Sequence, residues 1–339
     1  MMNRYPFPKV DLHLHLDGSI LPETAWELAQ KVGAPLPADS LEGYKAYIRR
    51  AVNCGAVNEY LKLFDLPLAI LQQPEHLTRV TRELVELLHR QGVAYAEIRF
   101  APQLHTREGM TQRQAVEAVL RGREEGLAAC PGMEAGILCC MMCVGPEAVN
   151  RAANAETVEV TAEYLGKGVV GLDLAGAEGI DPLSAFAPLF RRAAELGVPC
   201  TCHAGDSQGP DTVRDAMDMG ARRIGHGHHI FDDPALCRRA AAEGIALEIC
   251  PTSNIQCRTQ PSYGEHPARR LLDMGIPVTI NTDNMALAGV SLEDEYDHCV
   301  NEMGFTERDL VEMNRNSVRA AFLPEEKKAK LLAALEPFR

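Results

Sequence analysis

The amino-acid sequence predicts an α/β chain closed as a (β/α)8 barrel, with a helical insertion between its first and second strands. Three observations predict it. Eight short apolar runs recur along 339 residues, separated by longer amphipathic stretches, which is the pattern of β/α units on a parallel sheet. Glycines stand where helices should stop, just ahead of several runs: Gly92, Gly168, Gly197, Gly244 and Gly275. No linker rich in Pro, Gly and Ser divides the chain, and no internal repeat is evident. Residues 1–339 are therefore expected to form a single barrel domain, although length alone would suggest about two.

The expected strands lie near Lys9–Leu16, Val93–Ala101, Glu134–Cys143, Val169–Leu174, Pro199–His203, Arg222–His226, Ala246–Cys250 and Pro277–Thr282. Helical stretches separate most of them, among them Pro74–Gln91, Thr111–Cys130, Glu147–Gly166 and Asp181–Leu196. Residues 17–92 far exceed one crossover helix. Within them Val57, Tyr60, Leu61, Phe64 and Leu68 follow i, i+3, i+4, i+7 spacing, so one helix face is apolar. That face either packs on the barrel wall or roofs the strand ends, where barrel enzymes keep their sites.

Composition narrows the function. With 46% hydrophobic and 24% charged residues the chain can bury a large core, which excludes wholesale disorder. A net charge of −13 argues against a nucleic-acid partner, which calls for a basic face, and favours a small-molecule substrate. No signal-peptide core or membrane-length apolar run is present, so a cytoplasmic protein without a membrane partner is expected; a homo-oligomer is compatible with the sequence. The 11 cysteines sit mostly in apolar runs and read as buried hydrophobes in a reducing compartment. Cys140 and Cys143 form a C-x-x-C, but inside a strand-like run and with no second pair to complete a metal site.

Ligand-type side chains concentrate at the strand ends. His13 and His15 are two apart on one strand and so face the same way. His203-Ala204-Gly205-Asp206, Gly225-His226-Gly227 and Asn281-Thr282-Asp283-Asn284 end three later strands. Singly, each has a structural reading as a core histidine, a turn residue or a helix cap. A closed barrel would bring all four ends to one face. Three imidazoles and a carboxylate suit zinc better than oxygen-seeking cations. A zinc ion with an open position brings bound water towards a neutral pKa, which points to a hydrolase or aminohydrolase. His226 and Asp206 are not needed as ligands and remain for proton transfer.

The run Val10-Asp11-Leu12-His13-Leu14-His15-Leu16-Asp17-Gly18 resembles the opening motif of the adenosine deaminase family, built on a TIM-type barrel. His203-Ala204-Gly205, Gly225-His226-Gly227 and Thr282-Asp283 resemble its later motifs, and Val169–Glu178 a further segment, in the same order and across nearly the whole chain. The resemblance implies one Zn2+ per chain on His13, His15, His203 and Asp283, with His226 orienting and helping to deprotonate the attacking water and Asp283 also contacting it. It further implies that the Gly176 backbone meets purine N3 and that Asp17 meets the sugar. Val57, Tyr60, Leu61 and Phe64 would roof the pocket. The reaction would be attack at C6 of adenosine or 2′-deoxyadenosine, a tetrahedral intermediate and loss of ammonia.

Two positions depart from the family pattern. The acid that protonates N1 is normally Glu and here is Asp206; one methylene shortens its reach by roughly 1.5 Å, and misplacement on that scale costs about a hundredfold in rate. Asn284 stands where many members carry Asp beside N7, an acceptor to which an amide can donate. Two further readings stay open: the same chemistry on adenine, an aminofutalosine or an N6-substituted adenosine, and a catalytically weak zinc-bound purine binder. Adenosine monophosphate is disfavoured, because no basic cluster lies near the motif loops.

Overall fold

A computed structural model describes residues 4–53, 55 and 57–338, apart from the side chains of residues 57 and 58. Eight parallel strands carry the chain: β1 (Lys9–His15), β2 (Val93–Phe100), β3 (Glu134–Cys143), β4 (Val169–Gly176), β5 (Thr201–Ala204), β6 (Arg223–His226), β7 (Ala246–Ile249) and β8 (Val278–Ile280). They pair in chain order as two four-stranded sheets, β1 to β4 and β5 to β8. Single bridges join the sheets at both seams. Leu172 meets Cys200, with its N–H donating to the Pro199 carbonyl at 3.0 Å. Leu14 meets Asp283, whose N–H donates to the His13 carbonyl at 2.8 Å. The ring of strands is the barrel that the sequence predicts.

Each strand is followed by at least one helix, and the apolar faces of those helices bury on the wall. In Pro74–Arg90 the buried residues Leu77, Val80, Thr81, Leu84, Val85 and Leu88 form one stripe at helical spacing. All five glycines expected to stop helices take positive φ. Polar groups fill the bore. Arg99 and Glu97 of β2, Asp173 of β4, Arg223 of β6 and Glu248 of β7 are wholly buried. Since β2 neighbours neither β6 nor β7 in the sheet, the bonds of Arg99 to Glu248 (2.8 Å) and of Arg223 to Glu97 cross the interior.

The structure corrects four expectations. β5 and β8 start after Pro199 and Pro277, not at them, since proline has no N–H for the ladder. The stretch expected as a helix over Asp181–Leu196 is a 3-10 turn, Leu183–Phe186, followed by a helix, Ala187–Glu195, that restarts with Pro188 in its first turn. The apolar stripe expected on one helix is likewise broken, into Val57–Tyr60, a 3-10 turn Leu61–Phe64, and Asp65–Ile70 with Pro67 in its first turn. Tighter 3-10 winding rotates successive side chains differently from an α-helix, so the stripe does not run straight.

Candidate active site

The carboxyl ends of the strands open into a cavity of about 300 Å³. Its lining includes His15, Asp17, Tyr60, Leu61, Phe64, Gly176, His203, Asp206, His226, Asp283 and Asn284. His13 lies just beneath, wholly buried. Of the sequence-predicted site residues only Val57 cannot be placed, because its side chain lies outside the described residues.

The imidazoles of His13, His15 and His203 bring one nitrogen each to a common point. Nε2 of His15 is 3.4 Å from Nε2 of His203 and 3.4 Å from Oδ1 of Asp283, which is also 3.6 Å from Nε2 of His13. A tetrahedral ion with bonds of about 2.1 Å spaces its ligands by about 3.4 Å, so these separations fit a metal the size of zinc. Nε2 of His13 is buried with no hydrogen-bond partner among the described residues. Left bare, such an atom costs about 1–3 kcal/mol. An ion at the common point satisfies it.

The far sides of the rings are held by carboxylates. Glu248 lies 2.9 Å from Nδ1 of His13 and Asp173 3.2 Å from Nδ1 of His203, so the second nitrogens face the common point. Arg99 donates to both carboxylates, at 2.9 Å to Asp173 and 2.8 Å to Glu248. Against burial, which would raise them, His203 and Arg99 hold the Asp173 carboxyl well below the usual range, and Arg99 and Arg223 do the same for Glu248. Burial also lowers His13 and His15 and keeps them neutral, as ligation requires, while Asp173 raises His203 against the same effect. His13, His226 and Cys250 form a second close trio, but burial pushes the Cys250 thiol well up, away from the thiolate a metal needs.

Local backbone is spent on this arrangement. Among non-glycine described residues only His226 (φ 59°), Asp283 (φ 57°) and Arg258 (φ 55°) adopt left-handed conformations. Such conformations cost about 1–3 kcal/mol each and concentrate at functional sites. Gly225 leaves room for the ligand rings: a Cβ there would lie 3.0 Å from Cε1 of His13 and 3.2 Å from the His203 backbone. Gly18 does the same for Asn284, whose Oδ1 would fall 1.9 Å from an added Cβ. That oxygen is buried without a partner among the described residues.

Asp206 stands beside the ligand cluster. Its Oδ1 accepts from Asn254 Nδ2 at 2.9 Å and from the Thr259 hydroxyl at 3.0 Å. The loop that carries it is clamped by Glu178, whose carboxylate accepts from the N–H groups of Gly205, Asp206, Ser207 and Gln208. Asp17 is buried in the lining, and burial pushes its carboxyl up to about 6. Sequence reasoning missed Asn254, Thr259, Glu178 and the carboxylates behind the histidines. A usable signal exists for the last group, since Glu97, Arg99, Asp173 and Glu248 are charges inside otherwise apolar strands. Cys140 and Cys143 are buried in β3, and burial pushes the Cys143 thiol up to about 12.

Comparison with known proteins agrees with this geometry. A family model described as adenosine deaminase matches residues 8–337. An adenosine deaminase from Haemophilus ducreyi is 42% identical over 331 residues, covering 96% of this chain and 95% of the relative. An adenine deaminase from Arthrobacter aurescens superposes with a TM-score of 0.87 at 27% identity, covering 98% of this chain and 99% of that one. An amidohydrolase from Burkholderia ambifaria, solved with bound zinc, superposes with a TM-score of 0.87 at 26% identity, covering 98% of this chain and 90% of that one. Together with the ligand cluster, these relatives support a metal cofactor.

Proposed function

This chain belongs to the adenosine deaminase family, and on that premise we propose that it deaminates adenosine and 2′-deoxyadenosine hydrolytically to inosine and 2′-deoxyinosine with release of ammonia. His13, His15, His203 and Asp283 would hold one zinc ion. When bound, zinc acts as a Lewis acid and makes water a nucleophile near neutral pH. The observation that carries the reading is the three imidazole nitrogens converging on one point, with Asp283 Oδ1 at 3.4 and 3.6 Å from two of them, opening into a cavity at the lower end of the roughly 300–1,000 Å³ usual for small-molecule sites.

The remaining roles fall to the chain's own groups. Two donors occupy Oδ1 of Asp206, which leaves Oδ2 as the oxygen that would pass a proton to purine N1. His226 orients the water at C6, and Asn284 donates an amide hydrogen to N7. The Gly176 backbone meets N3 and Asp17 the sugar, while Tyr60, Leu61 and Phe64 exclude solvent from above. We place residues 1–339 in one deaminase domain, supported by the family match over 8–337. We place it in the cytoplasm, in keeping with the burial of the described cysteines in the core. Among the described residues no helix is long and apolar enough to cross a membrane.

The test is ammonia release by the zinc-loaded protein from adenosine, 2′-deoxyadenosine, adenine and an N6-methylated adenosine in parallel. Highest kcat/KM on the two nucleosides is expected. Preference for adenine would instead follow the Arthrobacter neighbour, and purine binding without turnover would identify a weak binding relative.

A further inference from the structure

Behind His226 and Asp206 lies a chain of polar groups that the proposed reaction does not use. Asn254 is wholly buried and places its amide between three partners. Nδ2 donates to Asp206 Oδ1 at 2.9 Å and to His226 Nδ1 at 3.1 Å, while Oδ1 faces His266 Nε2 at 3.2 Å. His266 is buried in turn, and its Nδ1 accepts from the Ala268 backbone N–H at 3.1 Å.

Every direction in this chain is fixed by one fact. A backbone N–H can only donate, so Nδ1 of His266 is an acceptor and its proton sits on Nε2. That proton points at Asn254, whose near atom must then be the carbonyl oxygen. The amide nitrogen accordingly faces Asp206 and His226. The opposite amide orientation would set two oxygens 2.9 Å apart at Asp206 and two donors together at His266, so the assignment rests on the network and not on atom labels. Because Asn254 donates to Nδ1 of His226, that nitrogen keeps its lone pair and the His226 proton sits on Nε2, on the edge left for the cavity.

We infer that His266 is a positioning residue that locks the Asn254 amide and thereby sets both the tautomer of His226 and the fixed oxygen of Asp206. His226 thus meets the site as a hydrogen-bond donor, which suits it to orient an oxygen more than to remove a proton. Burial pushes His266 down to about 3, so it stays neutral and the direction of the chain holds across the working range. His228, packed against His266 with ring centroids 5.5 Å apart, adds no hydrogen bond to this chain. The effect on turnover presupposes the deaminase reading; the tautomers do not.

The test therefore has a structural and a kinetic arm. Long-range 1H–15N spectra of zinc-loaded protein labelled with 15N-histidine should show His226 and His266 as neutral Nε2–H tautomers, with the His266 signals assigned by their loss in His266→Gln. In His266→Gln the side-chain amide stands where Nε2 stood and still donates to Asn254, so kcat should stay within about threefold and His226 should keep its tautomer. His266→Asn puts its polar atoms nearer Nδ1 and loses the donor to Asn254. Its kcat should fall by about 10–100-fold, the usual size of outer-shell effects, with zinc content and KM unchanged. An Nδ1–H tautomer of His226 in the wild type overturns the inference even if no variant folds. Wild-type kcat in a folded His266→Asn overturns it as well. Absence of turnover on every purine, with the expected tautomers intact, would sink the deaminase reading alone.

Discussion

The two halves of the barrel pair by the same parallel ladders yet end differently at the cavity. β1 to β4 are 7 to 10 residues long, and the last three contribute Ala101, Cys140, Met142, Ala175 and Gly176, or the residues just past them, to the wall. β5 to β8 are 3 or 4 residues long, and their last residues with the turns and helix starts just past them supply His203, Asp206, His226, Ser253, Asp283 and Asn284. Long regular strands make a smooth apolar surface, which suits a flat ring. Short strands free the backbone to take costly conformations, and both His226 and Asp283 use that freedom. Recognition and chemistry are thus assigned largely to opposite halves, with β1 and its two histidines as the hinge between them.

The comparison breaks most sharply at the metal. Wild-type protein should contain about one zinc per chain by elemental analysis. His15→Ala or Asp283→Ala should weaken zinc binding more than about 100-fold, beyond the usual outer-shell effect, and abolish turnover. Full metal occupancy in both variants would show that the second half does not share the site with β1.

Asp206 carries the next largest effect. Asp206→Asn keeps the shape but has no transferable proton, so kcat should fall about 10²–10⁴-fold while zinc stays bound. Asp206→Glu sharpens the point. Asn254 and Thr259 already hold Oδ1 at 2.9 and 3.0 Å, and Glu178 fixes the backbone, so a longer acid must overshoot those donors. Turnover below wild type is expected; a faster Glu variant would mean that the anchoring does not matter.

Behind the ligands, Glu248→Gln removes the charge that pairs with both Arg99 and Arg223. Breaking a buried pair costs about 3–5 kcal/mol, so denaturant unfolding should shift clearly and zinc affinity should fall about 10–100-fold. An unchanged unfolding midpoint would show that the bore charges do not brace the two halves.

Much of this division is legible in the sequence. Period-two spacing put His13 and His15 on one face, and the motif ends at His203, His226 and Asp283 needed only barrel closure to converge. β3 could be bounded to the residue because no polar side chain interrupts it from Ala135 to Cys143. The shorter strands could not, since their ends are set by prolines and by left-handed turns whose energy comes from tertiary contacts. The Asn254 amide was invisible for a related reason. It follows an ordinary Pro-Thr-Ser run, and only the fold brings residues 206, 226 and 266 around it. The spacing of Tyr60, Leu61, Phe64 and Leu68 gave their shared side but not the broken winding, because periodicity does not sense the 3-10 turn between them.

That broken segment supports the gentlest prediction. Tyr60, Leu61, Phe64 and Leu68 line the cavity from the insertion, and Leu61 and Phe64 are only partly buried. Apolar burial is worth about 25 cal/mol per Å², so Leu61→Ser, removing a side chain half covered without ligand, should cost about 1 kcal/mol of purine affinity. KM should rise about fivefold at nearly constant kcat, the pattern of lost uniform binding. The fold has less at stake, because the segment packs beside the barrel and contributes no strand to it. For a chain of this size a loss of about 1 kcal/mol lowers Tm by only about 2–4 °C or less. A Tm drop well beyond that with KM unchanged would make the segment a wall brace, and the apolar side of the pocket would then belong to β2, β3 and β4 alone.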